Sequence, residues 1–329
     1  MRIREIHIRN FRAIDQLDLV FAHPGGATLD LAVLAGPNGC GKTSVLEACL
    51  LGLNQDKLLQ RKLPDQDFHI ELHVDDEGET IRVVRTPGSH RIENSGGSNR
   101  PAHVAALSDR INTFFFSSWR SPKLVGSVGL SIRKGKRPAK NEINSLWRLK
   151  QHLVNLKASS AFEGAPVSLG RDADRIFTRV NEAWKLFYPE RNDAFDARRA
   201  PAAPAVSKDA LVEDISYDVY LLRPGCESGI ALDDLSSGEI EIVGMVGTFL
   251  METQPFDVVF IDEPELHLHP AWHRSILPAL RQMAPNTQFI CATHSQDILE
   301  SLYSHQRFTI LTENDPRVRA ELSEGGIGR

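Results

Sequence analysis

The chain has 329 residues, of which 41% are hydrophobic and 25% charged, and its net charge is -5. This composition is ordinary for a soluble globular protein. Because the net charge is negative, binding to nucleic acid would require a local patch of basic residues. The N-terminal segment MRIREIHIRNF alternates charged and apolar residues, so it is not a signal peptide. No run approaches the roughly 18 apolar residues of a membrane helix. We therefore expect no membrane partner. The four cysteines form no C-x-x-C pair and are typical of a reducing compartment, so we expect a cytoplasmic protein.

The first hundred residues favour short strands around one loop. Alternating apolar residues predict strands over residues 3–8 and 17–21, and the apolar run 31–34 predicts a buried strand. The segment FHIELHVDDEGETIRVVRT, residues 68–86, predicts a β-hairpin. The glycine-, serine- and asparagine-rich residues 87–101 predict a loop.

The middle of the chain, residues 101–210, has a different character. An aromatic strand is predicted over Thr113–Phe116. Apolar residues at helical spacing predict helices over residues 141–157 and 172–188. The proline- and alanine-rich residues 189–204 predict a linker. We interpret this region as a helical insertion.

In the C-terminal part of the chain, predicted strands alternate with predicted helices as far as residue 311. Strands are predicted over residues 217–222, 258–261, 289–293 and 308–311; helices are predicted from Leu235 to about Met251, after Pro270 and from Gln296. Such alternation is typical of a parallel sheet covered by helices. The expected organisation is an α/β head formed by residues 1–100 and 211–329, interrupted by the insertion 101–210.

A phosphate-binding loop follows the predicted strand 31–34. Residues 36–43, GPNGCGKT, match G-x-x-x-x-G-K-[ST] between a strand and a helix. Glycines let backbone N–H groups surround a polyphosphate, and the helix N-terminus adds a positive dipole. Lys42 would neutralise the β- and γ-phosphates, and the Thr43 hydroxyl would ligate Mg²⁺. The nucleotide-binding residues predicted here are Asn38, Gly39, Cys40, Gly41, Lys42, Thr43 and Ser44.

Two carboxylates follow the predicted strand 258–261. Asp262 and Glu263 would therefore lie at the carboxyl edge of a buried strand, where open α/β sheets bind ligands. Asp262 is expected to hold Mg²⁺ through water, and Glu263 is expected to act as general base toward the attacking water. His294 follows the next strand, so its side chain is expected to reach the γ-phosphate.

The segment LSSGE, residues 235–239, resembles the signature sequence of ABC-type ATPases when it is taken with these motifs. In those proteins serine hydroxyls and glycine N–H groups at a helix N-terminus bind the γ-phosphate of ATP held by a second subunit. The resemblance assigns this role to Ser236, Ser237 and Gly238. It implies a homodimer, or a higher homo-oligomer, that encloses two ATP molecules.

The order NFRAI, GPNGCGKT, LSSGE, FIDEPELHLHP and ATHS resembles the ABC-type ATPase heads of the RecF, OLD (overcoming lysogenization defect) and SMC-like group. The DEPELHLHP string is most similar to OLD-type ATPases and the PtuA ATPase of Septu-like defence systems. The resemblance implies a P-loop mixed sheet with helices on both faces, with ATP and Mg²⁺ as ligands. It also places Arg12 close to the phosphates or base of the nucleotide. The implied function is ATP hydrolysis that gates a nucleic-acid transaction or an effector, in phage defence or DNA repair.

The sequence departs from that pattern in two places. ABC-type heads usually carry a glutamine after the strand that corresponds to 113–116, whereas this chain has Ser117-Ser118-Trp119-Arg120. Either a serine, Gln60 or Gln66 takes that role. OLD-type proteins often add a C-terminal nuclease domain that has no counterpart before Arg329, so we expect any nuclease to be a separate polypeptide or a missing portion.

Two further features leave alternatives open. The basic segment 117–157 is either a solvated face or a patch that neutralises nucleic-acid phosphates. Glu265, His267 and His269 mimic a metal cluster, but the resemblance favours a role at the dimer interface. For the whole chain, the alternatives to an ATPase that gates a complex are an ATP-switched scaffold with little turnover and a transport ATPase subunit, in which loop and signature normally lie closer in sequence.

Overall fold

The computed structural model describes residues 1–59, 61–76, 78–94, 110–120, 126, 128–129, 145–161, 167–200, 216–226 and 228–311. Backbone contacts divide the chain into two compact units. The first, here called the head unit, comprises residues 1–120, 254–266 and 276–329. The second, the signature unit, comprises residues 121–253 and 267–275. These units do not follow the predicted boundaries at residues 100 and 210, because the signature helix belongs with the middle of the chain.

The head unit contains a five-stranded parallel sheet in the order β14-β3-β13-β12-β7. Its strands are β3 (Leu31–Ala35), β7 (Thr113–Phe116), β12 (Val258–Asp262), β13 (Gln288–Thr293) and β14 (Arg307–Thr309). Every residue of β3, β12 and β13 is buried, as continuous apolar runs in a parallel sheet require. This confirms the predicted α/β class with a parallel sheet.

A second, antiparallel sheet of the head unit has the order β2-β1-β4-β5-β6. Its strands are β1 (Arg2–Phe11), β2 (Ile14–Val20), β4 (His69–Asp76), β5 (Glu79–Thr86) and β6 (Ser89–Asn94). The predicted loop 87–101 was wrong over β6, because Pro87 and Gly88 form a two-residue turn that pairs Thr86 with Ser89. The rest of that predicted loop lies outside the described residues.

Helix α1 (Lys42–Gly52) packs between the two sheets of the head unit and is buried over ten of its eleven residues. A helix that contacts sheets on opposite sides must be apolar nearly all round, as residues 45–52, VLEACLLG, are apart from Glu47. The C-terminal part of the head unit adds α6 (Gln296–Glu300) and α5 (His273–Met283), of which residues 273–275 are grouped with the signature unit.

The signature unit contains α2 (Ser145–Ala161), α3 (Val167–Phe187) and α4 (Ser237–Met251). Its sheet joins β8 (Val128–Gly129), β9 (Ala194–Arg199), β10 (Ser216–Leu222) and β11 (Ile230–Ala231). Strand β9 falls in the predicted linker 189–204, where Phe195 and Ala197 alternate inward. No helix in the described ranges is both long and apolar enough to cross a bilayer.

Gln288 joins the two sheets of the head unit. It is fully buried, and its Oε1 accepts a hydrogen bond from Ile3 N at 2.7 Å. Its Nε2 donates to Ile3 O at 2.8 Å and to Leu29 O at 2.9 Å. The side chain therefore satisfies three backbone groups that have no access to water.

Gln288→Leu should lower the free energy of unfolding by about 3 kcal/mol, because it leaves those three buried backbone groups without partners. Chemical denaturation monitored by circular dichroism measures the change. Gln16→Leu, at an exposed position of β2, is the matched control and should change stability by less than about 0.5 kcal/mol. Equal effects of the two substitutions would contradict this role of Gln288.

Candidate active site

The phosphate-binding loop lies between β3 and α1, as predicted. Gly41 precedes the helix in a left-handed conformation with φ 99°. A Cβ on Gly36 would lie 2.3 Å from Ile310 O, so both positions favour glycine. The first N–H groups of α1 have no acceptor within the helix, which makes this end suited to bind an anion.

Lys42 spans the inside of this loop. Its Nζ donates hydrogen bonds to Gly36 O at 2.9 Å and to Pro37 O at 3.0 Å, and the side chain is buried. The ammonium group is therefore held by two neutral carbonyl oxygens. An anionic phosphate oxygen is a stronger acceptor, so the charge is available to a polyphosphate.

Thr43 and Asp262 meet although 219 positions separate them in sequence. The Thr43 Oγ1 donates to Asp262 Oδ2 at 2.9 Å. Asp262 ends β12 and is 3% exposed. A hydroxyl and a carboxylate are the oxygen ligands that Mg²⁺ prefers, so these residues fit the predicted metal role.

Glu263 occupies a strained turn directly after β12. Its φ is 54°, in a region that costs a non-glycine residue of order 1 kcal/mol. Its N–H donates to Ala292 O at 2.8 Å. Arg120 donates from Nη1 to Asp262 O and from Nη2 to Glu263 O, both at 2.6 Å. Arg120 therefore stabilises the backbone that carries both carboxylates.

The Arg120 contact bears on the glutamine that ABC-type heads usually carry after this strand. The Arg120 side chain, four residues after β7, contacts the main-chain carbonyls of the acidic turn. Gln66 instead donates a hydrogen bond to Asn10 O. Gln60 lies outside the described residues. Sequence analysis missed this contact of Arg120; the only signal was a basic residue four positions after an edge strand.

Glu265 anchors the turn that carries His294. One oxygen, Oε1, accepts hydrogen bonds from Thr293 Oγ1 at 2.8 Å, His294 N at 2.8 Å and Ser295 N at 3.1 Å. The His294 side chain itself is exposed. The carboxylate thus fixes the backbone of His294 and leaves its imidazole accessible to a ligand.

The proposed metal cluster around Glu265 has no support in the described residues. His267 and His269 are exposed, and the His269 Nδ1 accepts a hydrogen bond from Ala271 N at 3.2 Å. Neither histidine belongs to a group of ligands close enough to share one ion in the described part of the chain.

The signature residues begin α4. Ser236 is the N-cap and forms a capping box with Glu239, the arrangement that satisfies free N–H groups at a helix start. Ser236 and Ser237 are exposed, whereas Gly238 and Glu239 are buried. A Cβ on Gly238 would lie 2.9 Å from His267 O, so glycine allows that close packing.

Arg12 lies against α1. Its Nε is 2.7 Å from Glu47 Oε2, and its Nη2 donates to Lys62 O at 3.2 Å. Glu47 is fully buried, and this burial raises its pKa while the positive charge of Arg12 opposes the rise. Sequence analysis missed Glu47, although an acid within the apolar segment VLEACLL was a usable signal.

The described basic residues of the segment 117–157 all contact protein groups. Lys150 is fully buried and contacts Asp218 Oδ1 at 2.7 Å and Asp233 Oδ2 at 2.9 Å. Lys157 pairs with Asp196 at 3.0 Å, and Arg148 lies 3.7 Å from Glu252. The remaining predicted basic residues, Lys123, Arg133, Lys134, Lys136, Arg137 and Lys140, lie outside the described residues.

Comparison with known proteins identifies the family of the chain. A family model described as "AAA domain, putative AbiEii toxin, Type IV TA system" matches residues 31–300. The Septu protein PtuA of Bacillus mycoides is 23% identical over 96% of this chain and 41% of its own length. The retron Ec83 probable ATPase of Escherichia coli is 35% identical over 92% of this chain and 70% of the relative. The OLD nuclease of Thermus scotoductus is 22% identical, and the chain covers 59% of it.

Solved structures show the same fold. An SMC head bound to the C-winged helix domain of ScpA aligns with a TM-score of 0.56 at 11% identity over 92% of both chains. The SMC head domain from Thermotoga maritima aligns with a TM-score of 0.51 at 17% identity, again over 92% of both chains. The predicted resemblance to the RecF, OLD and SMC-like group is confirmed. The chain spans less than half the length of the PtuA relative.

Arg12→Ala should lower the free energy of unfolding by about 3 kcal/mol, because it removes the ion-pair partner of the buried Glu47 carboxyl. The double variant Arg12→Ala/Glu47→Gln should recover most of that loss. Arg110→Ala, which removes an exposed pair with Asp76, should cost about 0.5 kcal/mol. A double variant no more stable than Arg12→Ala, measured by denaturant titration, would contradict the pairing.

Arg120→Lys should slow nucleotide hydrolysis by roughly 10- to 100-fold, because one ammonium cannot hold both carbonyls of the acidic turn and small misplacements are costly. Nucleotide affinity should change little, since Arg120 is not part of the phosphate loop. Steady-state phosphate release and fluorescent-nucleotide binding measure the two quantities. Arg110→Lys is the control, and an unchanged hydrolysis rate in Arg120→Lys would refute the positioning role.

Proposed function

This chain belongs to the family described as "AAA domain, putative AbiEii toxin, Type IV TA system". We propose that it binds ATP with Mg²⁺ and hydrolyses it to ADP and phosphate. The observation that carries this proposal is the hydrogen bond of 2.9 Å between Thr43 Oγ1 and Asp262 Oδ2. It joins the phosphate loop to the acidic end of β12.

The residues of the head unit have distinct roles in this proposal. Lys42 exchanges the carbonyls of Gly36 and Pro37 for oxygens of the β- and γ-phosphates. The loop N–H groups bind the remaining phosphate oxygens. Thr43 and Asp262 would hold Mg²⁺, which supplies positive charge against the phosphates when it is bound.

Glu263 is the proposed general base. It accepts a proton from the attacking water while the phosphate loop stabilises the charge on the leaving group. Arg120 fixes the backbone of Glu263 but does not contact the reacting atoms. His294 contacts the γ-phosphate, and Glu265 positions it through the backbone.

ATP closes a head-to-head homodimer in this proposal. Ser236, Ser237 and Gly238 of one copy contact the γ-phosphate bound by the other copy. The proposal is supported by the exposed hydroxyls of Ser236 and Ser237 at the N-terminus of a 15-residue helix. A positive helix end that faces solvent can accept an anion presented by a second molecule.

The proposed biological role is to gate a separate effector or nuclease in defence or DNA repair. It is supported by the names of the relatives, a Septu protein, a retron ATPase and an OLD nuclease. A nucleic-acid contact through the segment 117–157 would have to use basic residues other than Arg148, Lys150 and Lys157, because these are paired with acids.

Glu263→Gln should reduce the hydrolysis rate by roughly 10²- to 10³-fold, the usual contribution of a general base. It should retain ATP affinity and accumulate a dimer in ATP, measured by light scattering after size-exclusion chromatography. Glu300→Gln changes an exposed carboxylate of the same unit and should behave as the unmodified protein.

Adding Ser237→Arg to Glu263→Gln should return the protein to its nucleotide-free oligomeric state while ATP still binds. A dimer that survives Ser237→Arg would contradict the role of the signature. A Glu263→Gln variant that hydrolyses ATP at the normal rate would refute the general base. Negligible hydrolysis by the unmodified protein, together with ATP-dependent dimerisation, would support an ATP-switched scaffold instead.

A further inference from the structure

The outer face of the antiparallel sheet carries two histidines and an acid that the ATPase does not use. Glu5 and His7 lie on β1, and His73 lies on β4. One nitrogen or oxygen of each side chain lies within 4.8 Å of the others. We propose that Glu5, His7 and His73 bind one divalent transition-metal ion of the Zn²⁺ type.

The distances suit a tetrahedral ion. Glu5 Oε2 is 3.1 Å from His73 Nδ1 and 3.6 Å from His7 Nε2. Ligand bonds of about 2.0 Å in tetrahedral geometry place neighbouring ligand atoms roughly 3.3 Å apart. Glu5 Oε2 therefore already lies at a suitable distance from the inner nitrogen of each histidine.

The second nitrogen of each histidine contacts a carboxylate. His7 Nδ1 is 2.8 Å from Asp18 Oδ1, and His73 Nε2 is 3.0 Å from Glu71 Oε1. Metal-binding histidines almost always donate their other N–H to such an acceptor, which fixes the tautomer and the ring orientation.

Both outer carboxylates are held by bidentate arginines. Arg9 donates to the two oxygens of Asp18 at 2.7 and 2.9 Å. Arg82 donates to the two oxygens of Glu71 at 2.6 and 2.7 Å. These pairs keep Asp18 and Glu71 as acceptors, so each outer ring nitrogen is placed to donate to a carboxylate and each inner nitrogen is placed to bind an ion.

The inner nitrogens, His7 Nε2 and His73 Nδ1, both face the Glu5 carboxylate. Glu5 Oε1 lies 3.6 Å from Arg4 Nε, whereas Oε2 and the two inner nitrogens form a set of one oxygen and two nitrogens. A divalent transition-metal ion suits such a set of ligands.

The backbone of β1 is shaped to bring these ligands together. Its register against β4 shifts between Ile3 and Glu5. This β-bulge places Ile3 and Ile6 on the buried face, so Glu5 lies outside beside His7. Bulges often redirect side chains at functional sites. The ligand side chains are 25–29% exposed, so an ion has access and can keep one open position.

Zn²⁺ binding tests this site in the full chain, stripped of metal, at pH 7.5 and with excess Mg²⁺ to occupy hard oxygen sites. Isothermal titration calorimetry should show one Zn²⁺ equivalent that the double variant His7→Ala/His73→Ala loses. Co²⁺ should give the visible absorption bands of a four-coordinate ion in the unmodified chain only.

Two conservative variants separate a site from a folding defect. Glu5→Gln removes a ligand and should weaken Zn²⁺ binding by at least about 100-fold. Asp18→Asn changes only the outer acceptor of His7 and should weaken it by about 10- to 100-fold. His23→Ala, at an exposed histidine of the same unit outside the cluster, is the control and should bind Zn²⁺ normally.

The proposal is overturned by absence of Zn²⁺ uptake in the unmodified chain, or by uptake that Glu5→Gln and the double histidine variant leave unchanged. Zn²⁺ uptake that these variants leave unchanged would mean that the ion binds at other histidines. Because the nucleotide residues are intact in these variants, ATP binding should stay normal in all of them, and the result does not depend on the proposed ATPase activity.

Discussion

The hydrogen bond between Thr43 and Asp262 depends on the strand order of the parallel sheet. Strand β13 pairs with β3 on one side and with β12 on the other. All three strands run in the same direction, so their carboxyl ends lie at one edge of the sheet. This order brings the phosphate loop, the acidic turn and His294 to one place. A long segment between β3 and β12 is tolerated because loop-closure cost grows slowly with length.

Glu263 and His294, the proposed reacting groups, are held mainly through their backbones. Glu263 adopts a left-handed conformation that is unfavourable by itself, and the Arg120 guanidinium stabilises the carbonyls on either side of that bend. Glu265 does the same for His294 by accepting two backbone N–H groups with one oxygen. Anchoring of this kind fixes position and leaves the side chains of Glu263 and His294 able to contact a ligand.

The sequence predicted the parallel strands and the phosphate loop well, because buried strands are short apolar runs and the loop needs glycine at fixed positions. It failed where the signal was not local. Strand β9 was hidden by the surrounding alanines and prolines, and β6 by the polar residues SHRIEN. Arg120 and Glu47 act through partners 142 and 35 positions away, and no spacing rule within a single sequence connects such residues.

Grouping of the chain into compact units was the least predictable feature, because it depends on packing rather than on motif order. The signature helix α4 follows the predicted insertion in sequence and also belongs to the same unit. Within that unit α4 packs with α2 and α3. An insertion that contacts the signature helix is therefore placed to influence it directly.

The electrostatics at the start of α4 explain how an acidic residue can belong to an anion-binding motif. A carboxylate at Glu239, in the first turn, would repel a phosphate if its charge were unpaired. Burial disfavours its ionised form, but hydrogen bonds from Arg191 and Ser236 hold the pKa of Glu239 below its usual value. Arg191 Nη1 and Arg223 Nη2 both donate to Glu239 Oε1, so its charge is neutralised from within the unit. Ser236 Oγ is engaged with Glu239 Oε2, so of the two serine hydroxyls the exposed one of Ser237 is better placed for the proposed contact with a phosphate of a second copy.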